Sequence, residues 1–589
     1  MPISVNITID AMNQILLACA LTSALVGPLF GIAPGSGASP LALHYARPAE
    51  RWEQEALPIG NGHMGAMLFG GVQREQIQFN EESLWIGDEE DTGAYQAFGD
   101  VLVQFGEADP TPPPPAQAAP PPGYLRELDI ERAVHTVTFA KEGIHYRREA
   151  FASYPAKVMV FRFTADQPGA LTGSVALTDM HHATITAAND TLTSAGSLAG
   201  YTYQGGSSKK KPGDNYALAL TYEAQLRVLH DGGTVQMDGG KVTFTHANTI
   251  TLILSAGTDF VQDRSRGWKG AAPHGKVTDL LDAAAKRSWD DLLTEHLRDY
   301  QGLFKRVSLD LGSSPAAALP TDVRLENFRK SKERDPQLET LLFQYGRYRT
   351  IASSRQGGLP ANLQGKWNNS NNPRWRCDYH TDINLQMNYW PTDAANLSEC
   401  FEPYAQWIQS IRAVRTEATR KAFDKRGWLM RGESGLFGGS TWDWVPGASA
   451  WLLQNSYDHY RFTGDKEYLR DRAYPAMKDV CEYWIESLIA QPDGTLVTPL
   501  GLSPEHGPKQ VGISFDQQMV WDLFTNTIEA GEALGVDAEL RAVLSEKRAH
   551  LLAPKIGSWG QLLEWKDELA PAADLGLSLI HISEPTRPY

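Results

Sequence analysis

Two rhythms of apolar and polar residues divide this chain near Pro320. From about Leu41 to Leu311 apolar residues mostly alternate with polar ones or form short runs, as in VMVFRFT at 158–164, YALALTY at 216–222 and ITLILS at 250–255. DGG at 231–233 and again at 238–240 supplies turn signals between such runs. Period-two runs bounded by glycine turns predict strands, and many of them over this length predict a large antiparallel β-sandwich. PTPPPPAQAAPPP at 110–122 cannot donate to a ladder and predicts an exposed polyproline-like insertion in a loop. Beyond Pro320-Thr321-Asp322 the spacing turns helical. LETLLFQYGRYRTIAS at 338–353 puts Leu341, Tyr345 and Tyr348 on one face, and 397–415, 448–461, 468–490, 517–534 and 538–552 are further helix candidates. Serial helices separated by loops rich in Gly, Pro, Trp and polar residues predict a helical toroid with a cavity lined by those loops. An ordinary bundle with buried aromatics is the plainer alternative.

The chemistry concentrates in WRCDYHTDINLQMNYW at 375–390, where His380, Asp378, Asp382, Asn384, Gln386 and Asn388 stand among Trp375, Tyr379, Tyr389 and Trp390. A segment that only fills a core carries Leu, Ile and Val, because each buried amide or carboxylate needs a partner. Aromatic faces beside fixed polar groups suit a sugar, whose C–H face stacks while its hydroxyls are held in register. A second candidate lies in SPEH at 503–506. Glu505 is flanked by Pro499, Leu500, Gly501, Leu502 and Pro504, with Lys509 the nearest fixed cation. Such an apolar setting is expected to desolvate the carboxyl and fit it for general acid work. The other readings are a non-catalytic glycan-binding protein and an all-helical core in which the rings only pack.

Composition narrows this further. At 589 residues the chain exceeds one core and suggests two or three domains. A formal net charge of −16 argues against nucleic acid and anionic membranes and suits a neutral substrate. Cys19, Cys377, Cys400 and Cys481 show neither metal-ligand spacing nor a disulfide framework. His residues lack metal-site spacing, and the glycines of LPIGNGHMG at 57–65 do not open a nucleotide-binding unit, so no metal or cofactor is expected. That cluster either turns the sandwich or brings Asn61 and His63 to a pocket.

Residues 13–45 resemble an export signal, with an apolar run at 15–32 and small residues at 35–38, although no Lys or Arg precedes Arg47. A secreted or periplasmic location follows as the expectation. No other segment is long and apolar enough to span a bilayer. LSLIHISEPTR at 577–587 reads as a translated sequencing adapter, so everything after Gly576 is set aside from the fold.

Five stretches together resemble glycoside hydrolase family 95, the inverting α-L-fucosidases with some α-L-galactosidases. They are LPIGNGHMGA at 57–66, QFNEESLW at 78–85, GLPANLQG at 358–365, DINLQMNYWP at 382–391 and SPEH at 503–506. The resemblance implies a multidomain β + α chain: leader 1–39, N-terminal antiparallel β-sandwich 40–312, helical linker 313–336, incomplete (α/α)6 catalytic barrel 337–576 and artefactual tail 577–589. The closing barrel helices and a final β domain would be missing, and the chain as written would be inactive or very weak. By position, Glu505 matches the family's general acid and Asn384 the asparagine that orients the attacking water, polarised by an aspartate that Asp574 matches. His380 matches a position carrying His in fucose-specific and Thr in galactose-specific members. Trp367, Asn368, Asn388, Trp442 and Trp444 would line the pocket. Where members often show Asn-x-Asn, this chain has Asp382-Ile383-Asn384, and a carboxylate there is a better proton acceptor than an amide. Asp382 is therefore the alternative base. The implied substrate is a glycan ending in α-L-fucose, most plausibly Fuc-α1,2-Gal, with no protein partner indicated.

Overall fold

The computed structural model describes residues 41–106, 120–205, 210–211, 214–505, 507–558 and 560–569. The expected leader, most of the proline-rich insertion, His506, Asp574 and the adapter-like tail lie outside those residues. Two antiparallel sheets make the N-terminal half. One has nine strands in the order Ala42–Tyr45, Leu125–Asp129, Val134–Lys141, Ile144–Ser153, Val158–Ala165, Thr249–Thr258, Thr221–Asp231, Thr191–Ser197, Thr184–Ala188. The other has seven, in the order Thr234–Asp238, Lys241–Ala247, Leu171–Leu177, Gly99–Phe105, Arg74–Glu81, Met64–Leu68, Leu57–Gly60. Phe161, Leu252 and Leu254 of the first sheet share a core with Phe79, Val101, Val103 and Val175 of the second. The second DGG places Gly239 and Gly240 at φ 54° and 86° in a two-residue hairpin pairing Asp238 with Lys241, a turn whose positive φ values favour glycine. The run at 216–222 departs from expectation: the strand begins only at Thr221, and Leu218 makes a lone bridge to Gly87.

The alternating pattern also stops earlier than Leu311. After Thr258 come helices His274–Ala285 and Trp289–Phe304, the second capped by Ser288, whose side chain accepts from the Asp291 amide. They cover the outer face of the nine-stranded sheet, where Leu281 and Leu292 meet Val158, Val160 and Ile253. Met159, Phe161 and Phe163 of the same strand face the sandwich core. A strand covered on both sides reads as a continuous apolar run, which explains VMVFRF.

The helical half holds Pro336–Ser353, Glu402–Phe423, Pro446–Thr463, Tyr474–Ser487, Ser514–Leu534 and Ala538–His550. The candidate at 468–490 is interrupted by a π turn at Leu469–Ala473 just before Pro475, which has no N–H to continue the ladder.

The stretch at 78–85 and the segment running from Gly358 to Asn368 stitch the halves together. Lys366 donates from Nζ to Glu82 Oε2 at 2.6 Å and to the carbonyls of Leu359 and Pro360, with side-chain exposures of 1% and 8% for the pair. Asn368 N donates to Asn80 Oδ1 at 3.0 Å, and Asn80 and Gln78 donate back to the Asn368 carbonyl. Burial opposes the Glu82 charge, but Lys366 and then His63 bring its carboxyl down to about 2. Lys366→Met leaves a buried carboxylate without its main counter-ion. It should destabilise the protein by about 3–5 kcal/mol, read as a lower urea midpoint; an unchanged midpoint would show that the pair is dispensable.

Candidate active site

The polar strip begins with a constrained turn. Trp375, Arg376 and Cys377 take φ of 46°, 59° and 49°, a left-handed conformation costing on the order of 1 kcal/mol for each non-glycine residue. Fully buried Arg376 holds it in place. Its Nε donates to Glu433 Oε2 at 2.9 Å, and its Nη1 donates to Asp91 Oδ1 at 3.2 Å and to the Gly93 carbonyl at 2.9 Å. The sandwich thus fixes the start of the strip. Tyr379–His380 then forms a strand against Arg431–Ser434, which pairs in turn with Ser440–Trp444.

Extended backbone sends alternate side chains to one side. Asp378 Oδ1 lies 3.0 Å from His380 Nδ1, and its Oδ2 accepts from the Ser434 amide at 3.1 Å. His380 Nε2 lies 3.5 Å from Asp382 Oδ1. One atom each of His380, Asp382 and Glu505 fall within 4.8 Å of one another. Asp382 is 1% exposed, and neither of its oxygens has a hydrogen-bond partner among the described residues. A buried carboxylate with both oxygens unpartnered marks a place where water or substrate completes the bonding.

The electrostatics follow from this packing. Burial works against a charged ring on His380, yet contact with Asp378, aided by Asp382 and Glu433, raises its pKa to about 10. Burial raises Asp378 as well, against the pull of His380. For Asp382, burial drives the pKa to about 6, with His380 opposing and Glu505 adding to the rise. At neutral pH the site holds a fixed imidazolium beside an ionised acceptor. Among the described residues this is the one trio of His, Cys, Asp or Glu whose donor atoms converge closely enough to ligate an ion.

Glu505 hangs from a loop between the paired strands Leu500–Gly501 and Gln510–Val511. It is exposed, so the burial expected from its apolar neighbours is not there. Asn384 opens helix Asn384–Tyr389 and is exposed, with Asn388 one turn on donating to the carbonyls of Ala361 and Asn362. Asp574, the partner expected for Asn384, is outside the described residues.

Five expected pocket residues serve other ends. Trp367 is buried and donates from Nε1 to the Ile59 carbonyl, and Asn368 donates to the carbonyls of Tyr95 and Ser370. Both belong to the seam, because the sandwich edge offers carbonyls that need donors. Asn61 takes the plainer of its two readings: its Oδ1 accepts from the amides of His63 and Met64, closing a turn. His63 Nδ1 is 2.8 Å from Glu82 Oε1 and lines a separate cavity with Glu81 and Lys276. Trp444 is enclosed by the Arg415 and Arg431 guanidiniums and the edge of Phe423. Trp442 lies against Gly432, on the strand next to the strip, and stays half-buried. Asp378 stands in the polar strip but without an expected role, and Arg376, Glu433 and Asp91 are not singled out by the sequence. The i, i+2, i+4 spacing of Asp378, His380 and Asp382 is the signal that finds the first; the others are brought in only by tertiary contact.

The family model Glycosyl hydrolase family 95 catalytic domain matches residues 288–579, and Glycosyl hydrolase family 65, N-terminal domain, matches 43–97 and 88–263. The chain is 30% identical over 596 residues to Alpha-L-fucosidase 2 of Arabidopsis thaliana, covering 90% of this chain and 70% of that protein. It is 28% identical over 633 residues to Probable alpha-fucosidase A of Aspergillus niger, covering 95% and 74%. Among solved structures, a putative kojibiose phosphorylase from human microbiome superposes with a TM-score of 0.57 at 10% identity, covering 90% and 70%, a likeness of fold alone.

Proposed function

Because the chain belongs to glycosyl hydrolase family 95, we propose that it releases terminal α-L-fucose from glycans, with Glu505 protonating the leaving oxygen and Asp382 activating water for inversion. The observation that carries the base assignment is the buried Asp382 carboxylate, which has no hydrogen bond among the described residues and lies near Glu505, with the charged His380 3.5 Å away. Asn384, exposed at its helix start, lacks that enclosure. His380 steadies the ionised form of Asp382 and is placed to hold a sugar hydroxyl.

One distance bears on the stereochemistry. Inverting glycosidases keep their carboxyl groups roughly 6.5–9.5 Å apart to admit a water, and retaining ones about 5–5.5 Å. Here the nearest atoms of Asp382 and Glu505 lie within 4.8 Å. Inversion therefore requires the exposed Glu505 loop to stand farther out around a bound sugar. Taken alone, the spacing favours a second reading, in which Asp382 attacks the sugar as a nucleophile.

L-Galactose differs from L-fucose by one added hydroxyl, and pockets reject such an addition by only about 10²-fold. Aryl α-L-fucoside should be turned over about 10–100 times faster, in kcat/KM, than aryl α-L-galactoside. Equal or reversed rates would assign the L-galactoside. The assay is run on this chain, which spans 70% of the Arabidopsis protein. Preference for Fuc-α1,2-Gal over other linkages and export through the 1–39 leader belong to the same proposal. No helix among the described residues is long and apolar enough to cross a membrane.

A further inference from the structure

The seam residues that left the catalytic pocket lead to a different place. A cleft of about 500 Å³ lies between the sandwich at Trp52 and Pro58, the helix Pro336–Ser353, and the loop from Leu363 to Arg374. That volume is ordinary for a ligand site. His380, Asp382 and Glu505 are not on its lining. Several polar groups around it have no use in the fold. Gln364 Oε1 is buried without a hydrogen-bond partner among the described residues. Arg349 rests its guanidinium 5.9 Å over the Trp367 ring, and no carboxylate among the described residues lies within ion-pair distance of Arg349 or of Arg374. Glu53 is the one carboxylate on the lining. Arg324 and Arg355 are paired with Asp335 and Asp299, whereas Arg349 and Arg374 put two guanidiniums without an ion pair among the described residues on the lining of one cleft.

From this we infer that the cleft binds an acidic oligosaccharide. Guanidinium forks match the planar oxygens of a uronate, and a sulfate ester equally. Gln364 supplies an acceptor for a hydroxyl. Trp52, held by the bond from its Nε1 to Gln78 Oε1 at 2.8 Å, supplies a half-buried ring to pack on a sugar face. The site would seize a charged stretch of glycan while the catalytic trio works on another end, and it rests on no step of the hydrolytic reading.

Isothermal titration of the full chain with three fucose-free tetrasaccharides tests this: an oligogalacturonide, a sulfated galactan fragment and neutral cellotetraose. At least one acidic tetrasaccharide should bind ten or more times tighter than cellotetraose, and which one does so names the acidic group. Arg349→Ala/Arg374→Ala should weaken that binding at least tenfold. Both side chains are exposed, so folding is not at stake, and turnover of an aryl α-L-fucoside should stay within twofold. Arg349→Lys/Arg374→Lys should retain part of the affinity. The inference fails if no acidic tetrasaccharide binds, if cellotetraose binds as tightly, if the alanine pair leaves binding intact, or if free L-fucose displaces the ligand. Failure of the fucosidase reading would leave every one of these titrations unchanged.

Discussion

Asp382→Asn should lower kcat/KM by about 10²–10⁴, the usual contribution of a positioned base, and should do so for α-L-fucosides with good and poor leaving groups alike. Water attack is needed in both cases, so a better leaving group gives no rescue. Asparagine keeps the shape of the side chain, and among the described residues the carboxylate has no hydrogen bond to lose, only the 3.5 Å contact with His380, so the variant should fold. The pH profile gives an independent reading. The pKa of Asp382 is raised to about 6 by burial, against His380 and with Glu505. The acceptor is lost as pH falls through that value, so the wild-type rate should drop below about pH 6, and the residual rate of the variant should lack that limb. Full activity in Asp382→Asn would return the base role to the amide of Asn384 working with Asp574, and Asn384→Gly would then be the damaging change.

Glu505→Gln should separate substrates by leaving group. Without its proton donor the enzyme should lose about 10²–10⁴ on natural glycans, whose leaving alkoxide needs the proton. A fucosyl fluoride or an activated aryl fucoside needs less protonation and should keep most of its rate. Equal losses on both would mean that Glu505 does something other than donate a proton, such as holding the loop between Leu500 and Val511.

The sequence made the architecture legible because each half has its own period. Alternation gave the sheets, and the 3.6-residue spacing gave the helices from Pro336 onward. Helices His274–Ala285 and Trp289–Phe304 were hidden inside a stretch read as strands, since two helices laid over a sheet follow directly on its last strand without a composition change. In the site, Glu505, His380 and Asp382 could be picked out because polar residues stood where core residues were due. Trp367 and Asn368 were expected at the pocket from the family resemblance; they donate to carbonyls of the sandwich edge at Ile59 and Tyr95, and that edge is not adjacent in sequence. Arg376 and Glu433 were invisible for the converse reason, since their roles lie in buried contacts between residues far apart in sequence, such as their own ion pair fifty-seven positions apart and that of Arg376 with Asp91.

The central claim is inversion by Asp382 and Glu505, and the anomer first released tests it most directly. Proton NMR is recorded within the first minutes of hydrolysis of an α-L-fucoside, before mutarotation mixes the products. The account predicts β-L-fucose as the initial product. Initial α-L-fucose would contradict it, and would match the short separation of the two carboxylates with Asp382 acting as a nucleophile.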